Sequence, residues 1–439
     1  MEDGVRVLHS ASQLLTLAGG PQRGAALGKL GILQDGAVAW RGDRILATGR
    51  TEEIIRRFPG AGLLDAAGSV VLPGFVDPHT HLVWAGDRAS EFEQRLRGAS
   101  YQEIMAAGGG ILSTVRQTRA ATVESLVESA QARAWRMLAY GTTTAEAKTG
   151  YGLETPTELR MLEAILRLEA CTPLRLSPTF LGAHAVPAEY AGRTEDYVRL
   201  LTDEMLPAVR DWWMQHAADR RLPFVDVFCE DGAFDLAQAR RILEHARELG
   251  FPLKIHAHEF AGLGGTGMAV ALEATSADHL VHTPAEEIAA LGRSETVAVA
   301  LPCTPFGLGE TDYSPAGKLL EAGACLALAT DLNPGTAWCE SMQFVIALAC
   351  RRLKLTPAQA IAASTINAAA AIGLQDQIGS LEPGKQADLL VLDVSDYRHL
   401  GYRFGTNLVS KVFRAGTLVI SHPAQGLAWT SPTLTPSSG

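Results

Sequence analysis

The middle of the chain alternates between short apolar segments and amphipathic segments, and this alternation restricts the fold more than any other feature. Segments of strand length and apolar pattern occupy 70–76, 142–146, 175–180, 224–228, 253–256, 278–281, 297–300 and 326–330. Helical patterns separate most of them, and those at 124–140 and 236–249 each end beside a glycine suited to a helix C-cap. Repeated βα units of this number predict an α/β fold, a TIM-like (β/α)8 barrel, with an open doubly wound sheet as the alternative.

The two ends of the chain have a different pattern. Residues 1–70 and 375–425 contain short alternating strands separated by glycine and proline turns. Neither end is long enough to bury a sufficient hydrophobic core alone. We therefore predict one small composite β-sandwich domain from 1–70 and 375–425, a barrel over 71–374, and a loose tail over 426–439.

Charge and composition exclude several functional classes. The chain has 439 residues, of which 47% are hydrophobic and 20% charged, so it can form a large globular core. Its net charge of −10 argues against nucleic acid and anionic membranes as partners. No segment is apolar for long enough to span a membrane, the N-terminus lacks a signal-peptide pattern, and the cysteines show no CxxC spacing. A cytoplasmic location is the expectation.

Histidines collect where the predicted strands end. Seven of the 12 histidines lie there, and an aspartate, Asp331, follows the last strand. The histidines are His79, His81, His184, His256, His258, His279 and His282. In a barrel these positions meet at the face that carries active sites. His79 and His81 share one face because their side chains alternate along an extended segment. The pattern predicts a divalent-metal site, although the residues alone leave His256 and His258 equivalent as ligands.

This arrangement resembles the amidohydrolase superfamily. That superfamily has His-x-His on strand one, histidines on strands five and six, and an aspartate on strand eight. Many members add a bridging carboxylated lysine on strand four, where this chain has Cys229 and Glu230. The resemblance therefore implies one metal ion.

Longer strings are similar to those of one family within it, the imidazolonepropionases. The similar segments cover most of the chain and are 78–82, 86–88, 108–111, 148–152, 180–184, 276–280 and 329–335. The resemblance implies hydrolysis of the cyclic amide of 4-imidazolone-5-propanoate to N-formimidoyl-L-glutamate, in histidine degradation. Another cyclic amidohydrolase or a deaminase is the alternative, and a non-catalytic sensor of metal and ligand is a third.

The resemblance also assigns roles to individual residues. The implied metal ligands are His79, His81, His256 and Asp331, holding one Zn²⁺ or iron ion, Fe²⁺ or Fe³⁺. The implied catalytic residues are Glu259, His279 and Asp331. The implied substrate-binding residues are Arg88, Tyr151, His184, Glu259, Asn333, Gly335 and Thr336. A homodimer acting on a small-molecule substrate is expected.

Several of these residues have simpler interpretations. Arg88 could form a surface salt bridge, and Asn333 could belong to a turn. His258 replaces the acidic residue that the family usually has there and is a possible competing ligand. The glycines of 262–267 match GxGxxG, but no acidic strand end follows them at the right distance, so a dinucleotide site is disfavoured. The Gly108–Gly110 loop is a candidate lid at the barrel mouth.

Overall fold

The computed structural model describes residues 4–98 and 109–422 and contains two sheets of eight strands each. Gly108, the first residue of the candidate lid, lies outside the described residues, and so does the predicted loose tail over 426–439. The strands of the first sheet are β1 (Arg6–Leu15), β2 (Ile32–Arg41), β3 (Arg44–Arg50), β4 (Gly62–Asp65), β5 (Val70–Pro73), β14 (Leu389–Leu392), β15 (Val409–Arg414) and β16 (Thr417–Ser421). The strands of the second are β6 (Phe75–Asp77), β7 (Thr142–Lys148), β8 (Arg175–Ala183), β9 (Phe224–Cys229), β10 (Lys254–Ala257), β11 (Ser276–His279), β12 (Val297–Ala300) and β13 (Leu326–Leu328).

The second sheet is the predicted barrel. Its strands pair in parallel and in sequence order, from β6 to β13. A parallel bridge between Thr80 and Leu332, just beyond β6 and β13, joins the last strand to the first. The amide of His81 donates to the carbonyl of Leu332 at 2.8 Å across this closure. The prediction of a (β/α)8 barrel is confirmed, and its closure brings the first and last predicted ligand segments together.

The first sheet is built from both ends of the chain, as predicted. Its strand order is β16-β15-β14-β5-β1-β2-β3, with β4 paired to β1. The indole of Trp40 donates to the carbonyl of Gly416 at 3.1 Å, and its ring packs edge-on against Phe413. These contacts join segments that are far apart in sequence.

The apolar run over 70–76 is two strands, so its prediction as one barrel strand is wrong. Val70–Pro73 pairs with β1 and β14 in the terminal sheet, and Phe75–Asp77 begins the barrel. Gly74 separates them, and a Cβ there would lie 2.1 Å from the hydroxyl of Thr143. Only glycine permits this close approach of the backbone to the neighbouring strand.

Sixteen helices are described, of which several pack against the barrel strands and the first packs against the terminal sheet. They are α1 (Thr51–Arg57), α2 (Ala89–Leu96), α3 (Ile111–Ala120), α4 (Val123–Ala139), α5 (Thr155–Cys171), α6 (Thr194–Leu200), α7 (Leu206–His216), α8 (Leu236–Glu248), α9 (Gly265–Ala271), α10 (Ala285–Gly292), α11 (Cys303–Leu308), α12 (Ala316–Glu321), α13 (Met342–Arg352), α14 (Pro357–Ala363), α15 (Ile366–Ala371) and α16 (His399–Tyr402). Short 3₁₀ segments occur at Gly24–Ala26 and Ala188–Tyr190, and a π turn at Leu201–Met205. None of the described helices is long and apolar enough to cross a membrane.

Helix α8 shows how local sequence defines these elements. The side chain of Asp235 caps its N-terminus by accepting from the amide of Gln238 at 2.8 Å. Ile242 and Leu243 belong to its buried face, and each such burial contributes about 1.5–3 kcal/mol. Gly250, with φ +89°, follows its end, as the C-cap prediction requires.

Candidate metal centre and active site

His79, His81 and Asp331 meet at the closure of the barrel. The Nε2 atoms of His79 and His81 lie 3.5 Å and 3.6 Å from the same oxygen, Oδ1 of Asp331. All three side chains are at most 4% exposed. The other oxygen, Oδ2, accepts a hydrogen bond from Thr304 at 2.5 Å, which turns Oδ1 toward the two imidazoles. These three residues can hold a metal ion, because one ligand atom of each lies within 4.8 Å of the others.

His256 and His279 join the same cluster from strands β10 and β11. The rings of His79 and His256 are 4.4 Å apart between centroids, and those of His256 and His279 are 5.2 Å apart. His79, His256 and His279 form a second set that could hold a metal ion. Within the described ranges, the buried Nε2 atoms of these three histidines have no hydrogen-bond partner. Buried imidazole nitrogens without partners are costly unless a metal ion or ligand uses them, so the donor set fits a divalent metal.

Two buried carboxylates hold imidazoles of the cluster from behind. Nδ1 of His79 lies 2.6 Å from Oδ2 of Asp278, and Nδ1 of His256 lies 3.0 Å from Oδ2 of Asp226. The hydrogen bond between Nδ1 of His79 and Asp278 holds the proton on Nδ1 and leaves Nε2 as the lone-pair donor. The contact between His256 and Asp226 is a close charge contact without hydrogen-bond geometry. Asp278 is therefore assigned as a residue that orients a metal ligand, and Asp226 as an electrostatic partner of another.

We expect Asp278→Asn to weaken metal binding by about 10–100-fold, because the amide no longer secures the Nδ1 proton of His79. The measurement is a competition titration with a chromophoric chelator. The exposed Asp376 provides the matched control, and Asp376→Asn should leave the affinity unchanged. Equal metal affinity in Asp278→Asn and in the unmodified chain would show that Asp278 does not orient His79.

The environment keeps the imidazoles neutral. Burial, followed by the charge of Lys148, holds the pKa of His79 well below its usual range. Burial and the neighbouring histidines lower the pKa of His81 and of His279 in the same direction. Neutral imidazole is the form that binds a metal, so the histidines need lose no proton to act as ligands near neutral pH.

Strained backbone positions coincide with the cluster. His279 has a φ of +79° and Asp331 a φ of +56°, values that residues other than glycine rarely adopt. Asp331 is held there by its amide, which donates to the carbonyl of His79 at 3.1 Å. Such strain costs free energy and persists only where the surrounding packing holds it in place. Strained positions are found mostly at functional sites.

Glu259 lies beside the cluster on the loop after β10. Its Oε2 is 3.6 Å from Nε2 of His279. Burial raises the pKa of Glu259 well above its usual range, and the charges of Asp331 and Glu230 raise it further. Glu259 therefore keeps its proton at pH values where an ordinary glutamate is ionised, as a general acid must.

A cavity of about 670 Å³ opens from the cluster to the surface. It is lined by every residue to which a substrate-binding role was assigned: Arg88, Tyr151, His184, Glu259, Asn333, Gly335 and Thr336. His81, His256, His279 and Asp331 line it too. The structure thus brings the predicted site residues into one place, with His79 directly behind them.

Arg88 is oriented by its neighbours in this cavity. Its Nε donates to Glu91 at 2.8 Å. A Cβ at Gly335 would lie 2.3 Å from Nη1 of Arg88, so any larger residue at 335 would displace the guanidinium. Arg88 does form a salt bridge, as its simpler interpretation expected, but the pair is largely buried, with the Arg88 side chain 17% exposed, and it lines the cavity.

Tyr151 and His184 offer uncharged polar groups. Burial raises the pKa of Tyr151, so its phenol stays protonated. Burial also lowers the pKa of His184 to about 3, so its imidazole stays neutral. Because Nδ1 of His184 lies 3.0 Å from the carbonyl of Gly150, the proton belongs on Nδ1 and Nε2 is an acceptor.

The loop after Asp331 is held by Asn333. Its Nδ2 donates to the carbonyl of Asp331 at 2.7 Å, and its Oδ1 accepts from the amides of Gly335 and Thr336, each at 2.8 Å. This is the turn that the simpler interpretation of Asn333 expected. The turn and the cavity lining are compatible, because the same bonds place Gly335 and Thr336 at the wall.

His258 lies away from the metal cluster. Its backbone has a φ of +60°, and its Nε2 lies 3.0 Å from Glu287 on α10. Neither of the candidate metal sets described above contains it. The structure therefore separates His256 from His258, which the residues alone left equivalent.

Sequence reasoning missed several residues that shape the site. They are Asp226, Asp278, Thr304 and Arg95, whose guanidinium lines the cavity and donates to the carbonyl of Gly335. For Asp226 and Asp278 a signal was present, since each is an acid within a buried apolar strand. Buried acids require partners, which makes them candidates for a site.

Comparison with known proteins agrees with this geometry. The model of the Amidohydrolase family matches residues 70–419. The imidazolonepropionase of Herpetosiphon aurantiacus is 53% identical over 414 residues, which cover 94% of this chain and 97% of that one. The chain belongs to the amidohydrolase family, among the imidazolonepropionases. The imidazolonepropionase of Chloroflexus aggregans is 52% identical and is covered along 100% of its length, with 96% of this chain.

Solved structures of lower identity share the fold. Guanine deaminase of E. coli superposes with a TM-score of 0.69 at 15% identity, covering 95% of this chain and 99% of that one. An adenosine deaminase from Xanthomonas campestris with bound zinc has a TM-score of 0.65 at 19% identity, covering 94% and 92%. At this identity the likeness establishes the barrel with its terminal sheet.

Proposed function

We propose that this chain hydrolyses the cyclic amide of 4-imidazolone-5-propanoate to N-formimidoyl-L-glutamate, a step of histidine degradation. The observation that carries the proposal is the cavity in which a guanidinium, Arg88, and a buried His/Asp cluster occur together. A ring amide needs activated water and a proton donor, and a propionate needs a cation. The relatives named imidazolonepropionase support the same reaction.

One divalent ion, Zn²⁺ or iron, is proposed to bind His79, His81, His256 and Asp331. Such an ion supplies Lewis-acid chemistry, which for Zn²⁺ can lower the pKa of water to about 7. His279 is also within reach of a ligand position, but its Nε2 is close to Glu259. We therefore assign His279 to proton transfer.

Three side chains around the cavity are proposed to transfer protons: Asp331, His279 and Glu259. Asp331 and His279 are placed to receive the proton of the attacking water, and burial raises the pKa of Asp331 to about 6 against the opposing Thr304 hydrogen bond. Glu259 then delivers a proton to the departing ring nitrogen. The neutral His184 and Tyr151 can hydrogen-bond the ring without changing its charge.

The propionate carboxylate is proposed to bind Arg88. We expect Arg88→Ala to raise KM for the natural substrate far more than for an analogue that lacks the carboxylate, because only the former loses a charge-assisted bond. Steady-state kinetics with both compounds measure this difference. Arg97→Ala is the control, since Arg97 is 76% exposed and does not line the cavity.

An equal rise of KM for the two compounds would refute the anchoring role of Arg88. Ring opening is measured by the ultraviolet absorbance of the substrate. If the metal-loaded chain opens no ring, the proposed reaction itself is refuted. Ammonia release from a purine or pyrimidine would support a deaminase instead.

Two expectations from the resemblance complete the proposal. We propose that the chain forms a homodimer and works in the cytoplasm. Sedimentation of the purified protein tests the first, and fractionation of the source cells tests the second.

A further inference from the structure

A group of charged side chains fills the barrel interior beneath the His/Asp cluster. Its members are Glu146, Lys148, Asp226, Lys254 and Asp278, and each is at most 1% exposed. Three are carboxylates and two are ammonium groups. The proton-transfer scheme proposed above uses none of them, and their burial demands a reason because charged groups are rarely buried without close partners.

The ammonium group of Lys148 lies among all three carboxylates. Its Nζ is 2.7 Å from Asp226, 2.9 Å from Glu146 and 3.9 Å from Asp278. Lys148 is the last residue of β7, and its buried side chain reaches carboxylates on β9 and β11. It occupies the point where these carboxylates converge.

Lys254 reaches the same group from β10. Its Nζ lies 2.9 Å from the other oxygen of Glu146, 3.5 Å from Asp278 and 2.7 Å from the carbonyl of Pro78. Glu146 is thus held between the two lysines. Its Oε1 also accepts from the hydroxyl of Thr179 at 2.5 Å.

The carboxylates themselves have the geometry of a cation site. His79, Glu146 and Asp278 offer ligand atoms that lie within 4.8 Å of one another. Oδ1 of Asp226 is buried and, among the described residues, lacks a hydrogen-bond partner. Carboxylate oxygens suit divalent cations, and the two ammonium groups occupy the space between these carboxylates.

We propose that Lys148 and Lys254 occupy a second cation site of this barrel and thereby restrict the chain to a single metal ion. The inference rests on the single metal of the proposed function. Lys148 contacts both carboxylates that lie against metal-binding imidazoles, Asp226 beside His256 and Asp278 beside His79, and Lys254 contacts Asp278. The two side chains fill the space between the carboxylates, and their positive charges would repel a divalent ion there.

Truncation of Lys148 should reveal the hidden site. Lys148→Ala removes both the charge and most of the side chain. The space and the uncompensated carboxylates that remain can accept a divalent ion. Lys148→Met removes the charge but fills most of the space, so it is the matched control. We expect the unmodified chain and Lys148→Met to bind one Zn²⁺ per chain, and Lys148→Ala to bind two, after equilibrium dialysis and elemental analysis.

The other outcomes overturn the proposal. A folded Lys148→Ala chain that binds one ion or none would show that the ammonium does not stand in a cation site. Two ions in both variants would place the additional ion elsewhere. No ion in the unmodified chain would instead contradict the proposed function.

A second variant covers the case in which Lys148→Ala does not fold. Lys254→Ala opens the same group of carboxylates from β10 and should also bind a second ion. If both variants are insoluble, expression with added Zn²⁺ should restore soluble protein carrying two ions per chain. Failure of the added metal to restore either variant would also overturn the proposal.

Discussion

Glu259→Gln should reduce kcat by about 10²–10⁴-fold while the metal content stays at one ion per chain, because general acid catalysis contributes that much. Glutamine keeps the shape of the side chain but cannot deliver a proton to the ring nitrogen. Steady-state kinetics and elemental analysis of the same sample measure the two quantities. Glu286→Gln, an exposed change on α10, is the matched control and should alter neither.

The pH dependence of kcat follows from the direction of the same pKa. Burial raises the pKa of Glu259, so the protonated donor persists to higher pH than an ordinary glutamate would allow. Activity that depends on the donor is therefore present below this pKa and falls as the pH rises through it. A kcat that increases with pH over that range would mean that Glu259 acts as a base.

Removal of the metal should abolish turnover, and added Zn²⁺ or Fe²⁺ should restore it. The buried Nε2 atoms of His79 and His256 have no other partner in the described parts of the chain, so their use depends on the ion. Dialysis against a chelator, followed by titration with each metal, measures recovered kcat per ion bound. The metal that gives the larger kcat is the stronger candidate for the native ion.

A ligand variant tests the same conclusion from the protein side. His256→Ala should bring the metal content well below one per chain and lower kcat in proportion. His216→Ala, on the exposed end of α7, controls for loss of a histidine elsewhere. Turnover by metal-free protein, or two ions in the unmodified chain, would contradict a single catalytic metal.

Much of the candidate site was predictable because its residues lie at strand ends. The alternation of apolar and amphipathic segments predicts the barrel, and the barrel predicts that His79, His256 and Asp331 meet. The two predicted helices at 124–140 and 236–249 correspond to Val123–Ala139 and Leu236–Glu248. Short-range patterns determine these elements, since periodicity and caps are local properties.

Other features depended on contacts between distant segments. The apolar pattern at 70–76 predicts one strand. The structure divides it at Gly74, where a side chain would overlap Thr143. His258 is equivalent to His256 in sequence, but its positive φ and its contact with Glu287 turn it away.

The sequence by itself determined the residue types of the site, the order of the barrel strands and the face on which the ligands gather. Only the tertiary structure decided that Asp278 supports His79, that Asp226 supports His256, and that Lys148 lies between those acids. The reason is physical. A strand pattern specifies which way a side chain points, whereas the partner of a buried charge comes from another strand, and closure of the barrel sets which one it meets.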